Sequence, residues 1–231
     1  MTAEIVDGKA IADVVMTGLA EQLSALGEPL RLAALCVGDD VGLRSFVKLK
    51  QKAAQSIGAE FSSYFFDAND EDGARQTLQY LVGDEGVHGI FVELPLPVSW
   101  NSAALLSLIP AQKDVDVLSP HTQKMFYENH GAVVPSSVLA LKYVLHAHEI
   151  AIRDMRIAMV GAGELVGKPV AHWLAQQGAR VDIIDINTPH PSEISRQAEM
   201  VIAATGTPGL VTDEWIREGA IVIDYGFAKK G

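Results

Sequence analysis

One stretch constrains the fold more than any other: Val160-Gly161-Ala162-Gly163-Glu164-Leu165-Val166-Gly167-Lys168-Pro169. It follows the apolar run Arg156 to Val160, which reads as a buried strand. It precedes Val170 to Gln177, which reads as a helix stopped by Gly178. A glycine-rich turn between strand and helix is where a phosphate can sit. Gly161 permits the tight turn, and Gly163 lets backbone approach a phosphate. Gly167 lets helix and strand pack closely, one residue later than the common fingerprint. The helix N-terminus then offers free N–H groups and partial positive charge to a pyrophosphate. A second strand, Arg180 to Ile184, ends at Asp185, where a carboxylate can accept ribose hydroxyls. The spacing points to a dinucleotide site. The other reading is a packing turn in an α/β domain without a ligand.

The rest of the composition suits such a domain. The chain has 231 residues, 48% hydrophobic and 20% charged, enough for one large or two modest domains. Its net charge of -11 argues against a nucleic-acid partner, which needs a basic footprint. The single cysteine, Cys36, lies in an apolar run and reads as core rather than nucleophile. The histidines are scattered without metal-ligand spacing, so no metal is expected. No apolar run reaches membrane-spanning length, and the N-terminus does not read as a signal peptide. No membrane partner and a cytoplasmic location are the expectation.

Read in order, helices alternate with strands. Helical spacing covers 10–26, about 42–57, 70–82, 102–108, 136–148 and 193–198. Strands are expected over 30–37, 59–66, 89–92, 156–160, 180–184, 200–204 and 220–225. The alternation predicts an α/β fold of two three-layer domains with mostly parallel sheets and helices on both faces. The first spans 1–148, including the helix at 136–148 as a rigid connector. The second, 149–231, is Rossmann-type. Ligands in such folds sit beyond the carboxyl ends of strands.

Polar residues gather at those ends in the first domain. Lys48, Lys50 and Lys52 lie on the helix after the first strand, with Phe46 four residues before Lys50 and so on the same helical face. Glu93 ends the third strand and runs into Leu94-Pro95-Leu96-Pro97. Asp114 and Asp116 lie in the next loop. Lysine and carboxylates in one crevice can move protons. The same pattern also fits an ordinary surface ion pair.

Five ordered segments together resemble the methylenetetrahydrofolate dehydrogenase/methenyltetrahydrofolate cyclohydrolase family. They are Phe46-Val47-x-x-Lys50, Gly89 through Pro97, Pro110-x-x-Lys113-Asp114-Val115-Asp116, Gly161-x-x-x-x-Val166-Gly167-Lys168-Pro169 and Val222 through Gly226. The resemblance implies two α/β domains with a folate cleft between them, assembled as a homodimer. It implies oxidation of 5,10-methylenetetrahydrofolate by hydride transfer to NAD(P), then hydrolysis of the methenyl product to 10-formyltetrahydrofolate. On it, Lys50 matches the lysine of the hydrolytic step and Asp116 the aspartate that holds the pterin. Lys50, Glu93 and Asp116 are the expected catalytic residues. Phe46, Leu94 and Pro95 join them in substrate binding. Gly161, Ala162, Gly163, Val166, Gly167, Asp185, Thr205 and Gly206 are the expected cofactor contacts.

The chain departs from the family pattern at several of these places. Phe46 replaces a tyrosine, Glu93 a glutamine and Val117 a glycine. The family's Pro-Cys-Thr-Pro stands here as Pro135-Ser136-Ser137-Val138, and its Gly-Arg-Ser as Gly161-Ala162-Gly163. Without that arginine, and with Asp185 facing the ribose, NAD is expected over NADP. Glu93 beside Lys50 is expected to weaken hydrolysis and leave hydride transfer intact. The family's C-terminal Pro-Gly-Gly-Val-Gly-Pro loop and closing helix do not occur in this sequence, which is expected to leave apolar surface for a dimer to cover. Two alternatives stay open: a noncatalytic relative that binds a nucleotide or a partner, and an oxidoreductase acting on another substrate.

Overall fold

The computed structural model describes residues 3–226 and divides the chain into two compact units, before and after the Val134–Pro135 junction. Each is built on a parallel sheet, as the alternation of helices and strands predicts.

The first unit runs α1 (Gly8–Leu26), β1 (Arg31–Val37), α2 (Val41–Ser56), β2 (Glu60–Phe66), α3 (Glu71–Gly83), β3 (Gly89–Val92), α4 (Ser102–Leu106) and α5 (Pro120–Tyr127). Its sheet has the order β2-β1-β3, all parallel. The central strand β1 is buried on both faces, which accounts for its unbroken apolar sequence. Side chains alternate across it. Ala33 and Leu35, with Ile90 and Val92 beside them, pack against Leu78 and Leu81 of α3 and against Leu105 and Ile109. Ala34 and Cys36 face the other way, toward Val47 of α2, Phe61 and Phe91. That parity sets Phe91 and then Glu93 on the α2 side of the sheet.

The second unit runs α6 (Ser136–Ala147), β4 (Arg156–Val160), α7 (Gly167–Gln176), β5 (Arg180–Ile184), α8 (Pro191–Ser195), β6 (Met200–Ala203), a single 3-10 turn at Asp213–Trp215, and β7 (Ile221–Asp224). The sheet order is β5-β4-β6-β7, again all parallel. Strands β4 and β6 are almost wholly buried. Ala158, Val160 and Val201 meet Ala198, Ile194 and Trp215 in one cluster. Tyr225, just past β7, donates its hydroxyl to Ser137 O at 2.8 Å, and burial pushes that phenol up to about 12.

Three differences from the sequence reading have physical causes. Helix α6 groups with the second unit, whereas it is read above as part of the first. It packs on α7 and buries Val138, Leu141 and Leu145, a tertiary preference that helical periodicity does not carry. Helix α7 begins at Gly167 rather than after Pro169, and α8 begins at Pro191 rather than Glu193. Proline is tolerated in a first helical turn, where its missing N–H has no intrahelical acceptor to lose. Helix α5 is not expected above; Ser119, whose hydroxyl accepts from Thr122 N, followed by Pro120 at the first helical position, is its start signal.

Candidate active site

Lys50 is the centre of the cluster in the first unit. Helix α2 starts at Asp40, whose carboxylate accepts the Gly42 and Leu43 N–H groups, and it buries Val47 against the sheet. Lys50 lies three residues past Val47 and so leans over the sheet's carboxyl edge. Lys48 and Lys52 are exposed, because two residues along a helix turn a side chain to the far face.

The Lys50 ammonium donates to Glu93 Oε1 at 2.7 Å and lies 3.7 Å from Asp116 Oδ2. It sits 4.6 Å from the Phe91 ring centre and 5.0 Å from that of Phe46, in the cation–π range. Glu93 is 6% exposed, against 22% and 20% for the side chains of Lys50 and Asp116. Phe46, Lys50, Glu93 and Asp116, four residues from three separate segments, are thus brought together. Phe91 is the participant not anticipated above. Its signal was available: it stands two residues before Glu93 on one strand, hence on the same face. Leu94 packs partly buried against the core, and Pro95 is exposed after a cis Leu94–Pro95 peptide.

The Lys113 to Asp116 segment divides its labour. Lys113 Nζ donates to the carbonyls of Leu81, Val82 and Asp84 at the end of α3. Asp114, 1% exposed, accepts the Leu118 and Ser119 N–H groups at 3.0 and 2.7 Å and the Thr122 hydroxyl. The Ile90 N–H donates to Lys113 O at 2.7 Å, which ties the loop to the edge of β3. Two residues therefore build the loop, and Asp116 is the one it presents to Lys50. Val117 follows with φ 56 and its side chain buried, a conformation costly for a β-branched residue. Beneath the cluster, burial and then the negative charge of Glu93 push the Cys36 thiol up to about 12, which removes it as a nucleophile.

The second unit holds the glycine turn at the carboxyl end of β4. Gly161 has φ 106, and a side chain there would meet Ala204 O at 2.5 Å. A Cβ on Gly167 would lie 2.0 Å from Gly161 O, so turn and helix touch through backbone. The Gly161 N–H donates to Ile184 O at 2.8 Å, which seats the turn beside the end of β5. Gly163 is exposed with open space around it, and Val166 starts α7 without a side-chain cap. In that first turn the Lys168 N–H donates to Gly163 O at 3.0 Å and Pro169 has no N–H, so the Gly167 N–H and the open Gly163 backbone are what the turn offers a pyrophosphate. Thr205 lies against Gly161 in the loop after β6, Gly206 follows exposed, and Ala162 is partly buried within the turn. Asp185 is exposed; its Oδ1 accepts the Asn187 N–H at 2.9 Å and the Thr188 hydroxyl at 3.0 Å. Among the described residues no group of three or more histidine, cysteine, aspartate or glutamate side chains could hold a metal ion, and no helix is long and apolar enough to cross a membrane.

Comparison with known proteins agrees with both halves. Residues 6–116 match the tetrahydrofolate dehydrogenase/cyclohydrolase catalytic domain, and residues 134–231 match the NAD(P)-binding domain of the same enzymes. The bifunctional protein FolD of Staphylococcus carnosus is 35% identical over 98% of this chain and 81% of its own length. The methylenetetrahydrofolate dehydrogenase-cyclohydrolase of Trypanosoma brucei, solved with NADP and an inhibitor, superposes with a TM-score of 0.93 at 33% identity, over 99% of this chain and 80% of that one. The Campylobacter jejuni FolD enzyme gives 0.88 at 31% identity, over 94% and 78%. The two family models together cover most of the chain, and the chain belongs to the tetrahydrofolate dehydrogenase/cyclohydrolase family.

Proposed function

We propose that this chain oxidises 5,10-methylenetetrahydrofolate to the 5,10-methenyl form with NAD as acceptor, and hydrolyses the product to 10-formyltetrahydrofolate only weakly. The observation that carries the reading is the Lys50–Glu93 bond of 2.7 Å with Asp116 at 3.7 Å. NAD, when bound at the glycine turn, supplies the hydride acceptor. On the folate side, Asp116 accepts N–H groups of the pterin, and the faces of Phe46 and Phe91 bound the space beside Lys50. Leu94 and Pro95 border it. Oxidation transfers a hydride and asks for no base, because the electrons that close the new carbon–nitrogen double bond come from the adjacent nitrogen. Hydrolysis needs a proton taken from water. Lys50 commits its N–H to Glu93, so it serves as an ammonium that orients rather than as a base.

Gly161, Ala162, Gly163, Val166 and Gly167 would hold the pyrophosphate, Asp185 after β5 a ribose, and Thr205 and Gly206, after β6 on the other side of β4, the nicotinamide end. A cytoplasmic homodimer completes the proposal, on the strength of the family resemblance. The test follows methenyl absorbance from methylenetetrahydrofolate with purified protein and each dinucleotide. A signal with NAD supports the reading. Folded protein that binds dinucleotide and forms no methenyl product would instead favour a noncatalytic relative.

A further inference from the structure

We propose that the two carboxylates on Lys50 make this pocket selective for a cationic folate, the methenyl oxidation level, over uncharged forms; the proposal rests on the folate reading above. One ammonium faces Glu93 at 2.7 Å and Asp116 at 3.7 Å, so the cluster carries a net negative charge. Glu93 is 6% exposed, and a charge so shielded from water is screened less than one on the surface. Among the described residues the ion pairs of Glu93 and Asp116 are with Lys50, and Arg44, also on α2, pairs instead with Asp39 and stacks over Phe65. Asp114, on the same loop as Asp116, is a further carboxylate rather than a compensating base. The faces of Phe46 and Phe91 present their negative π clouds to the same space.

The chemistry uses that charge. When the methylene carbon gives its hydride to NAD, the C–H electron pair leaves with the hydride and the nitrogen lone pair forms the new double bond. The positive charge that NAD loses appears on the folate, shared between two nitrogens. An anionic pocket stabilises that charge as it develops and holds the methenyl product. Addition of water with loss of a proton erases the charge, so the same pocket opposes hydrolysis. Glu93 is thus a specificity-determining residue, not only a partner of Lys50.

Fluorescence titration with 5,10-methenyltetrahydrofolate and with 5,10-methylenetetrahydrofolate, without dinucleotide, tests this, because both ligands carry the same acidic tail and the same one-carbon bridge and differ in the charge of that bridge. The wild-type protein should favour the methenyl form at least tenfold. Glu93→Gln should lose at least tenfold of that preference, and Glu93→Asp should keep most of it. A packing role predicts the reverse order, since glutamine preserves the shape and aspartate does not. An unchanged preference in Glu93→Gln overturns the inference. Binding of both ligands without preference in the wild type overturns it too while sparing the folate reading. Binding of neither overturns that reading as well.

Discussion

Glu93 and Asp185 are the two side chains at which the proposed chemistry is most directly tested. Glu93→Gln should raise methenyl hydrolysis at least about tenfold, corresponding to roughly 1.4 kcal/mol of barrier, because Lys50 then loses the carboxylate that claims its proton. Single-turnover hydrolysis assays decide it: an unchanged or slower rate would make Glu93 a partner in the step rather than a brake. Asp185 stands at the end of β5, and Ala162 supplies no cation for a 2′-phosphate. Loss of one ion pair plus one repulsion amounts to roughly 2–4 kcal/mol, so NAD should bind about thirty- to several-hundredfold tighter than NADP. Titration with both dinucleotides checks this, and tighter NADP would defeat the argument. The bonds of Asp185 to Asn187 and Thr188 fall on one oxygen, Oδ1.

Among the elements, the loop from Lys113 to Ser119 governs the site most directly. Asp114, Val117, Leu118 and Ser119 are buried, and Asp114 satisfies two of the loop's N–H groups as well as the Thr122 hydroxyl. Asp114→Asn keeps the size but puts an amide donor where donors already point. Asparagine keeps one oxygen, so one of the two N–H groups loses its acceptor; a buried unsatisfied N–H costs about 1–3 kcal/mol, and the urea midpoint should fall accordingly. The folate affinity should fall with it, because Asp116 is presented by this loop. A variant with unchanged midpoint and affinity would show that the loop holds itself. This part was only half legible beforehand. The Lys-Asp-Val-Asp spacing marked Asp116, but that Lys113 caps α3 and Asp114 anchors α5 depends on helices placed by tertiary packing.

For the whole molecule, helix α1 poses the open question of assembly. It buries none of its residues within the chain, and Val14, Leu19 and Leu26 stand exposed. Strand β2 lies at the edge of its sheet with Tyr64 and Phe66 only partly buried. Apolar surface of this kind is a common site of self-association. The expected state is a homodimer, so light scattering at micromolar concentration should return twice the chain mass of 24.8 kDa. A well-behaved monomer would count against it.

The linear order of residues was enough for the two parallel sheets, the glycine turn and the family, because these follow from periodicity, turn chemistry and local spacing. Strand β1 reads as buried on both faces from its own residues, and the Gly161–Gly167 turn from its neighbours. Three things waited for the folded chain. Phe91 joined Lys50 through strand parity in a register that only pairing with β1 sets. Helix α6 went to the second unit because its apolar face found α7. The Lys50–Glu93–Asp116 geometry joined residues 43 positions apart and more, and distances across such gaps arise from packing, which no local pattern encodes.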